Sequence, residues 1–473
     1  METLNTTDAA RSVALDRVRE FARQFLAGLP ERRVGAREGF AEMVAALGAP
    51  LAEKGLDPEV AIEALVGAVE PGLVASAGPR YFGFVIGGSL PAAVAADWLT
   101  STWDQNSGLT ATSPAAAAAA AVVAGWVKDL LGLPASAAVG FVSGCQMANF
   151  SGLAAGRHAV LARAGWDVEK NGLQGAPEVH VVIGEEAHAT ILSALRMLGL
   201  GEGRAHRVAV DPQGRMRADA LEEILAGLDG PILVAAQAGN VSTGAFDPFG
   251  EIARLVHAKN GWLHVDGAFG LWAAAAPERR HLLKGVADAD SWATDGHKWL
   301  NVPYDSGMVI VREPQNLKAA LTKSGAYLIR TETARDNHDY TPDSSQRARG
   351  FVLWATLRSL GRDGVGTMVE RCCSLATRFA ERLRAGGVVV LNDVVINQVL
   401  VRFAAPTGRD AGAFTKAVVA RVQNGGVTWA SGTNWHGQEC LRISVSNWST
   451  TEADIDRSAD AILAAFRDEA EAR

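Results

Sequence analysis

The chain has 473 residues, 48% of them hydrophobic, and a net charge of -7. That is the composition of a globular protein too long for one simple core, so two or three domains are expected. The acidic balance argues against a nucleic-acid or anionic-membrane partner, and four cysteines at positions 145, 372, 373 and 440 form neither a disulfide framework nor a metal-ligand spacing. A polar N-terminus of mixed charge and the lack of an apolar run near ~18 residues make the cytoplasm the expected location, with no membrane partner.

From Asp8 to about Gly72 the spacing predicts three short amphipathic helices, the last opened by Asp57-Pro58 with a capping side chain and a proline in the first turn. Residues 1–75 are thus read as a thin helical arm that buries its apolar faces on another domain or subunit. Aromatic residues Tyr81, Phe82, Phe84, Trp98 and Trp103 follow, then Thr112-Ser113-Pro114 and seven alanines that predict the first long helix of a new domain.

From Val139 onward β-branched runs alternate with helical stretches. Strands are predicted over 178–183, 207–210, 232–236, 262–265 and 307–311, with helices over 189–198, 218–228 and 249–258. This alternation implies an α/β fold with a mainly parallel sheet, whose ligand site lies beyond the carboxyl ends of the strands. Residues 76–345 form this large domain. The polar stretch Arg330 to Arg349 has no periodicity and reads as a mobile loop. Residues 346–473 carry helices and shorter strands, ending in a helix over 451–470, and read as a smaller α+β domain.

Four positions carry the chemistry. Lys298 sits in Asp295-Gly296-His297-Lys298-Trp299 after a short apolar run, where desolvation would favour its neutral amine as a nucleophile toward a carbonyl. Asp266 closes the strand ending His264-Val265, and a carboxylate at that depth needs a cation such as a protonated ring nitrogen. His188 follows another strand and offers a flat imidazole for stacking. Ser143-Gly144-Cys145-Gln146 is a small-residue turn entering a helix, suited to a phosphate. Together they describe a phosphorylated, aldehyde-bearing pyridine, that is, pyridoxal 5'-phosphate.

With these motifs the chain resembles the group II pyridoxal-phosphate-dependent amino-acid decarboxylases, which include the aromatic amino acid, glutamate and diaminobutyrate enzymes. The resemblance runs from Pro79 to Ser449 and rests most heavily on His264-Val265-Asp266-Gly267-Ala268 and Asp295-Gly296-His297-Lys298-Trp299-Leu300. It implies the fold type I (aspartate aminotransferase-like) transferase architecture: a mainly parallel seven-stranded sheet, a smaller α+β C-terminal domain and an N-terminal helical arm. It also implies that Lys298 holds the cofactor, Asp266 faces its ring nitrogen and His188 stacks on the ring. Gly144, Cys145 and Gln146 would wrap the phosphate, with Asp295, His297, Asn240 and Ser242 as further contacts. Arg442 would take the substrate carboxylate, and Phe84 and Trp103 the side chain. Tyr340 would return a proton to the substrate carbon, with His338 as the alternative.

The implied reaction is decarboxylation of an L-amino acid, an aromatic one favoured, to the amine and carbon dioxide. A homodimer is expected, with the site at the subunit interface and the segment from Trp103 to Ser113 contributed by the second copy. The rivals are another outcome on the same cofactor, namely transamination, aldol cleavage or oxidative deamination to an aldehyde, or a silent binding member. Tyrosine rather than phenylalanine at position 340 leans against the aldehyde outcome. Ala120 and Ala121 stand where many relatives carry a glutamate.

Overall fold

The computed structural model describes residues 8–48, 50–323 and 335–472. The arm comprises α1 (Asp8–Gly28), α2 (Phe40–Leu47) and α3 (Pro58–Val69), joined by an ion pair between Arg17 and Glu63 at 2.7 Å. Pro58 opens α3 as expected, but the Asp57 side chain makes no capping hydrogen bond. Neither α2 nor α3 has one fully buried residue, and Phe40 is 86% exposed.

Helices α4 (Pro91–Trp103) and α5 (Pro114–Leu131) lead into the large domain. Ser113 accepts a hydrogen bond from the Ala116 N–H, and Gly132, at φ 66°, ends α5 in the left-handed conformation that glycine tolerates. Helix α5 is long and apolar enough to pass as a membrane span by length and composition, although Lys128 and Asp129 interrupt its apolar run; its inward face (Ala120, Val123, Ala124, Val127) lies in the domain core.

The large sheet is built from β1 (Ala138–Val142), β2 (His180–Gly184), β3 (His206–Val208), β4 (Ile232–Gln237), β5 (Trp262–Asp266), β6 (Ser291–Asp295) and β7 (Gly307–Val311), in the spatial order β1-β7-β6-β5-β4-β2-β3. Strands β2 to β6 run parallel, and β7 is antiparallel to both of its neighbours. Between them lie α6 (Cys145–Arg163), α7 (Val168–Asn171), α8 (Ala189–Met197), α9 (Ala218–Ala226) and α10 (Phe249–Ala258), and α11 (Pro314–Leu321) follows β7. The period of two divides each strand between the faces: Val181, Leu233, Ala293 and Val309 pack toward α6 and α8, while Val182, Val234, Val265 and Trp292 pack into the opposite core. Strand β6 was missed from sequence because three of its five residues are polar.

Helix α12 (Arg349–Ala385) is interrupted at Gly361, φ 62°. It leads to an antiparallel sheet of β8 (Val389–Val390), β9 (Gln398–Arg402), β10 (Ser431–Trp435) and β11 (Gln438–Ser444), ordered β10-β11-β9-β8 and covered by α13 (Ala411–Gly425) and α14 (Glu452–Glu471).

The stretch read as a mobile loop is corrected where it is described. Asp336 accepts from the Thr110 N–H at 2.8 Å, Asn337 donates to the Ser107 carbonyl at 2.9 Å, and the His338 N–H bonds the Gly108 carbonyl. Polar side chains fasten this segment by hydrogen bonds to backbone, so its lack of periodicity is not a lack of order. Its first residues, 330–334, lie outside the described residues.

Candidate active site

Parallel strands β4, β5 and β6 end side by side in Gln237, Asp266 and Asp295, at the carboxyl edge where a ligand site is expected. A cleft of about 270 Å³ opens there, lined also by Lys298, His297 and His188 and closed at one end by the first turn of α6.

The turn after β6 places Lys298 with its amine 3.0 Å from Asp295 Oδ2. Gly87 passes so close that a Cβ there would stand 2.0 Å from the Lys298 carbonyl. Burial pushes the amine down, but Asp295 leads the surrounding groups that outweigh it, so the net shift is upward. The expectation of a lysine depressed by desolvation is therefore corrected: without ligand, Lys298 is an ammonium held by Asp295.

Asp266 is buried at the floor. It accepts from Asn149 Nδ2 at 3.0 Å, the Cys145 thiol at 3.4 Å and the Ala268 N–H at 3.2 Å. Burial, with Asp266 next in effect, raises the Cys145 thiol well above its usual value, so the sulfur is a neutral donor. Among the described residues no Lys, Arg or His lies within ion-pair reach of Asp266.

His188 caps α8, its Nδ1 facing Thr190 Oγ1 at 2.9 Å and the Thr190 N–H at 3.3 Å. Burial lowers its pKa against the pull of Asp266, leaving a neutral, flat ring. Burial likewise lowers His297, whose Nδ1 accepts from the Ser306 N–H and whose ring stacks on Tyr304 at 4.2 Å.

At the start of α6 the Cys145 N–H donates to Asp295 Oδ1 at 2.6 Å, and a Cβ on Gly144 would stand 3.1 Å from His297, filling the space before the helix. Gln146 lines the cleft but its amide is turned to Ser193. A helix end left open by glycine, a flat neutral imidazole, a primary amine and a buried carboxylate without a cation fit the phosphate, ring, aldehyde and ring nitrogen of pyridoxal phosphate.

Arg442 on β11 is buried, its Nε has no hydrogen-bond partner, and burial lowers its pKa; its charge is felt at His188. A guanidinium so placed is ready for an anion.

Other expected residues are not brought to the cleft. Asn240 spends its side-chain oxygen on the Ser242 and Thr243 N–H groups; the neighbours Gly239 and Val241 face the cleft instead, so Asn240 and Ser242 shape the loop and do not line it. Trp103 packs edge-on against Phe351 beside a separate apolar cavity. Phe84 packs against Trp429, itself stacked on Tyr81. Tyr340 lies under Lys318 and Arg335 near β1, and His338 is buried beside Asp339, so neither lines the cleft of its own chain. Asn149, Thr190, Gln237 and Phe269 were missed. The fixed spacing of Thr190 from His188 was the one available signal.

Residues 47–404 match the family described as the pyridoxal-dependent decarboxylase conserved domain. The chain is 29% identical over 380 residues to an L-2,4-diaminobutyrate decarboxylase of Rhizobium meliloti, covering 78% of this chain and 74% of the relative. It is 27% identical over 417 residues to tryptophan decarboxylase 1 of Oryza sativa, covering 82% and 80%. Among solved structures, Oryza sativa TDC with PLP and tryptamine superposes with a TM-score of 0.91 at 24% identity over 99% of both chains, and mouse CSAD at 0.90 and 23% over 98% and 99%. At these identities the two structures establish the fold.

Proposed function

Because the chain belongs to the pyridoxal-dependent decarboxylase family, we propose that its cleft binds pyridoxal phosphate and decarboxylates an L-amino acid, an aromatic one favoured, to the amine. The observation that carries this reading is the presence in one cleft of an amine, Lys298, and a buried carboxylate, Asp266, that has no ion-pair partner among the described residues. When bound, the cofactor supplies an electron sink for the carbon that loses its carboxylate.

The chain's own residues hold and bias that chemistry. Lys298 would hold the cofactor, which requires its ammonium, paired with Asp295 at 3.0 Å, to give up a proton. Asp266 would keep the ring nitrogen charged, and His188 would keep the ring flat. Arg442, whose buried Nε has no partner among the described residues, would grip the substrate carboxylate.

We assign residues 1–75 as a dimerisation arm, 76–345 as the cofactor domain and 346–473 as the small domain of a cytoplasmic homodimer. Exposed apolar side chains on helices without a buried face, such as Phe40 and Leu65, support a second copy as their cover. In that dimer Tyr340 and Trp103 would serve the partner's cleft. The test is a screen of the twenty amino acids for carbon dioxide release with product analysis: amine is expected, and aldehyde with peroxide would replace this reading by the oxidative one.

A further inference from the structure

Strand β5 points Trp262, His264 and Asp266 to the face covered by α6, and the register sets Ser291 of β6 directly beside His264. On α6, Asn149, Gly152 and Gly156 share the facing stripe. A Cβ on Gly152 would stand 2.7 Å from the His264 ring, and one on Gly156 2.7 Å from the Trp262 ring, so two glycines let the helix settle onto this row.

The polar atoms of the row are linked in sequence. Trp262 Nε1 donates to Ser291 Oγ at 2.9 Å, Ser291 Oγ lies 2.8 Å from His264 Nδ1, and His264 Nε2 lies 2.9 Å from Asn149 Oδ1. The Asn149 amide nitrogen then reaches Asp266 Oδ2 at 3.0 Å and Thr190 Oγ1 at 3.2 Å, and Thr190 Oγ1 lies 2.9 Å from His188 Nδ1.

Both ends fix the direction. A carboxylate only accepts, so Asn149 turns its NH2 to Asp266 and its oxygen to His264, which must carry its proton on Nε2. His264, buried and neutral, then accepts at Nδ1 from the Ser291 hydroxyl, and the Ser291 oxygen accepts from the indole, which only donates. On the other branch the Thr190 N–H donates to His188 Nδ1 at 3.3 Å, which makes that nitrogen an acceptor, so the Thr190 hydroxyl accepts from Asn149 and donates to His188 Nδ1 as well. The neutral His188 ring is left with its proton on Nε2.

We propose that this is one directed hydrogen-bond chain with Asn149 as its branch point, and that it orients Asp266 and selects the tautomer of His188. Asn149 and Thr190 are positioning residues for the two groups expected to meet the cofactor, one at its ring nitrogen and one on its ring face. The consequence for cofactor binding rests on the function proposed above; the tautomer does not.

The test uses the full-length chain labelled with ¹⁵N-histidine and freed of cofactor, with His188 and His264 assigned by their loss in His188→Gln and His264→Gln. In the wild type both rings are expected to show a protonated Nε2 and a bare Nδ1. Thr190→Val should move His188 toward a mixture of tautomers, while Thr190→Ser, which keeps the hydroxyl, should restore the wild-type shifts. Ser291→Ala should mix the tautomers of His264. Asn149→Leu should weaken pyridoxal phosphate binding, titrated on the apoprotein, by roughly 10-fold or more. A wild-type His188 protonated on Nδ1, or a Thr190→Val spectrum identical to wild type, overturns the proposal even if Asn149→Leu does not fold. A wild type that fails to bind pyridoxal phosphate would instead overturn the proposed function and leave the tautomer result standing.

Discussion

The floor of the cleft and its rim are built on opposite terms. On the floor, Asp266 is buried with three donors around it, and behind it each polar atom from Trp262 to Asn149 has a partner. At the rim, Arg442, whose charge reaches His188, has an unpartnered buried nitrogen, and Tyr304, stacked on the cleft residue His297, is more than half exposed. A satisfied network costs nothing further to keep in place, whereas an unpartnered guanidinium nitrogen and a bare ring are stabilised only when something arrives. The floor is thus preorganised for a resident group, and the rim is left for a visitor.

That contrast can be broken most severely at the residue joining the two regions. Lys298→Ala is expected to abolish turnover and covalent retention of the cofactor, read by mass spectrometry after borohydride reduction; retention by the variant would place the attachment elsewhere.

Next in size is the floor's response to acid. Burial holds His264 down to about 4, against an ordinary value of 6.5. Because its folded pKa is depressed, the folded state resists a proton that the unfolded chain accepts, so its stability contribution is intact above 6.5 and declines as pH falls toward 4. The wild type should lose about 3 kcal/mol more over that window than His264→Gln in denaturant titrations. Asp247, pushed by burial up to about 6, titrates with the opposite sign but in both proteins alike, so the difference isolates His264.

A rim residue should behave in reverse. Arg442→Met removes a buried charge that no carboxylate among the described residues pairs, so Tm should hold or rise while KM increases by about 10-fold or more. A fall in Tm with unchanged KM would mean that the guanidinium is structural.

The smallest expected change is a displaced profile. Asp295 is the main group raising the Lys298 amine against burial. The neutral amine is the form above its pKa, so Asp295→Asn should shift the rise of cofactor capture with pH, followed by absorbance, to lower pH. A shift to higher pH would contradict the electrostatics described.

The sequence disclosed the ends of strands better than the wall behind them. Asp266 and Lys298 stand in short motifs whose residue types are explained by one ligand, and a mainly parallel sheet followed from alternating patterns, its seven strands only from the family resemblance. Asn149 carries no such mark: on a helix of small residues it becomes a hub only once α6 lies across β5 and β6. Asn240 and Ser242 were assigned one position out of phase, since in their loop the odd-numbered neighbours turn inward. Asp336 and Asn337 look like loop residues, and only the folded chain brings Thr110 and Ser107 within their reach.

The glycine pair on α6 carries a lesson for variant libraries. Positions 152 and 156 should tolerate no side chain although neither touches a ligand, because any added carbon would collide with a ring on the strand beneath. Depletion of substitutions there would report the thickness of the seam between helix and sheet, and a survey that equated intolerance with chemistry would draw the active site one layer too deep.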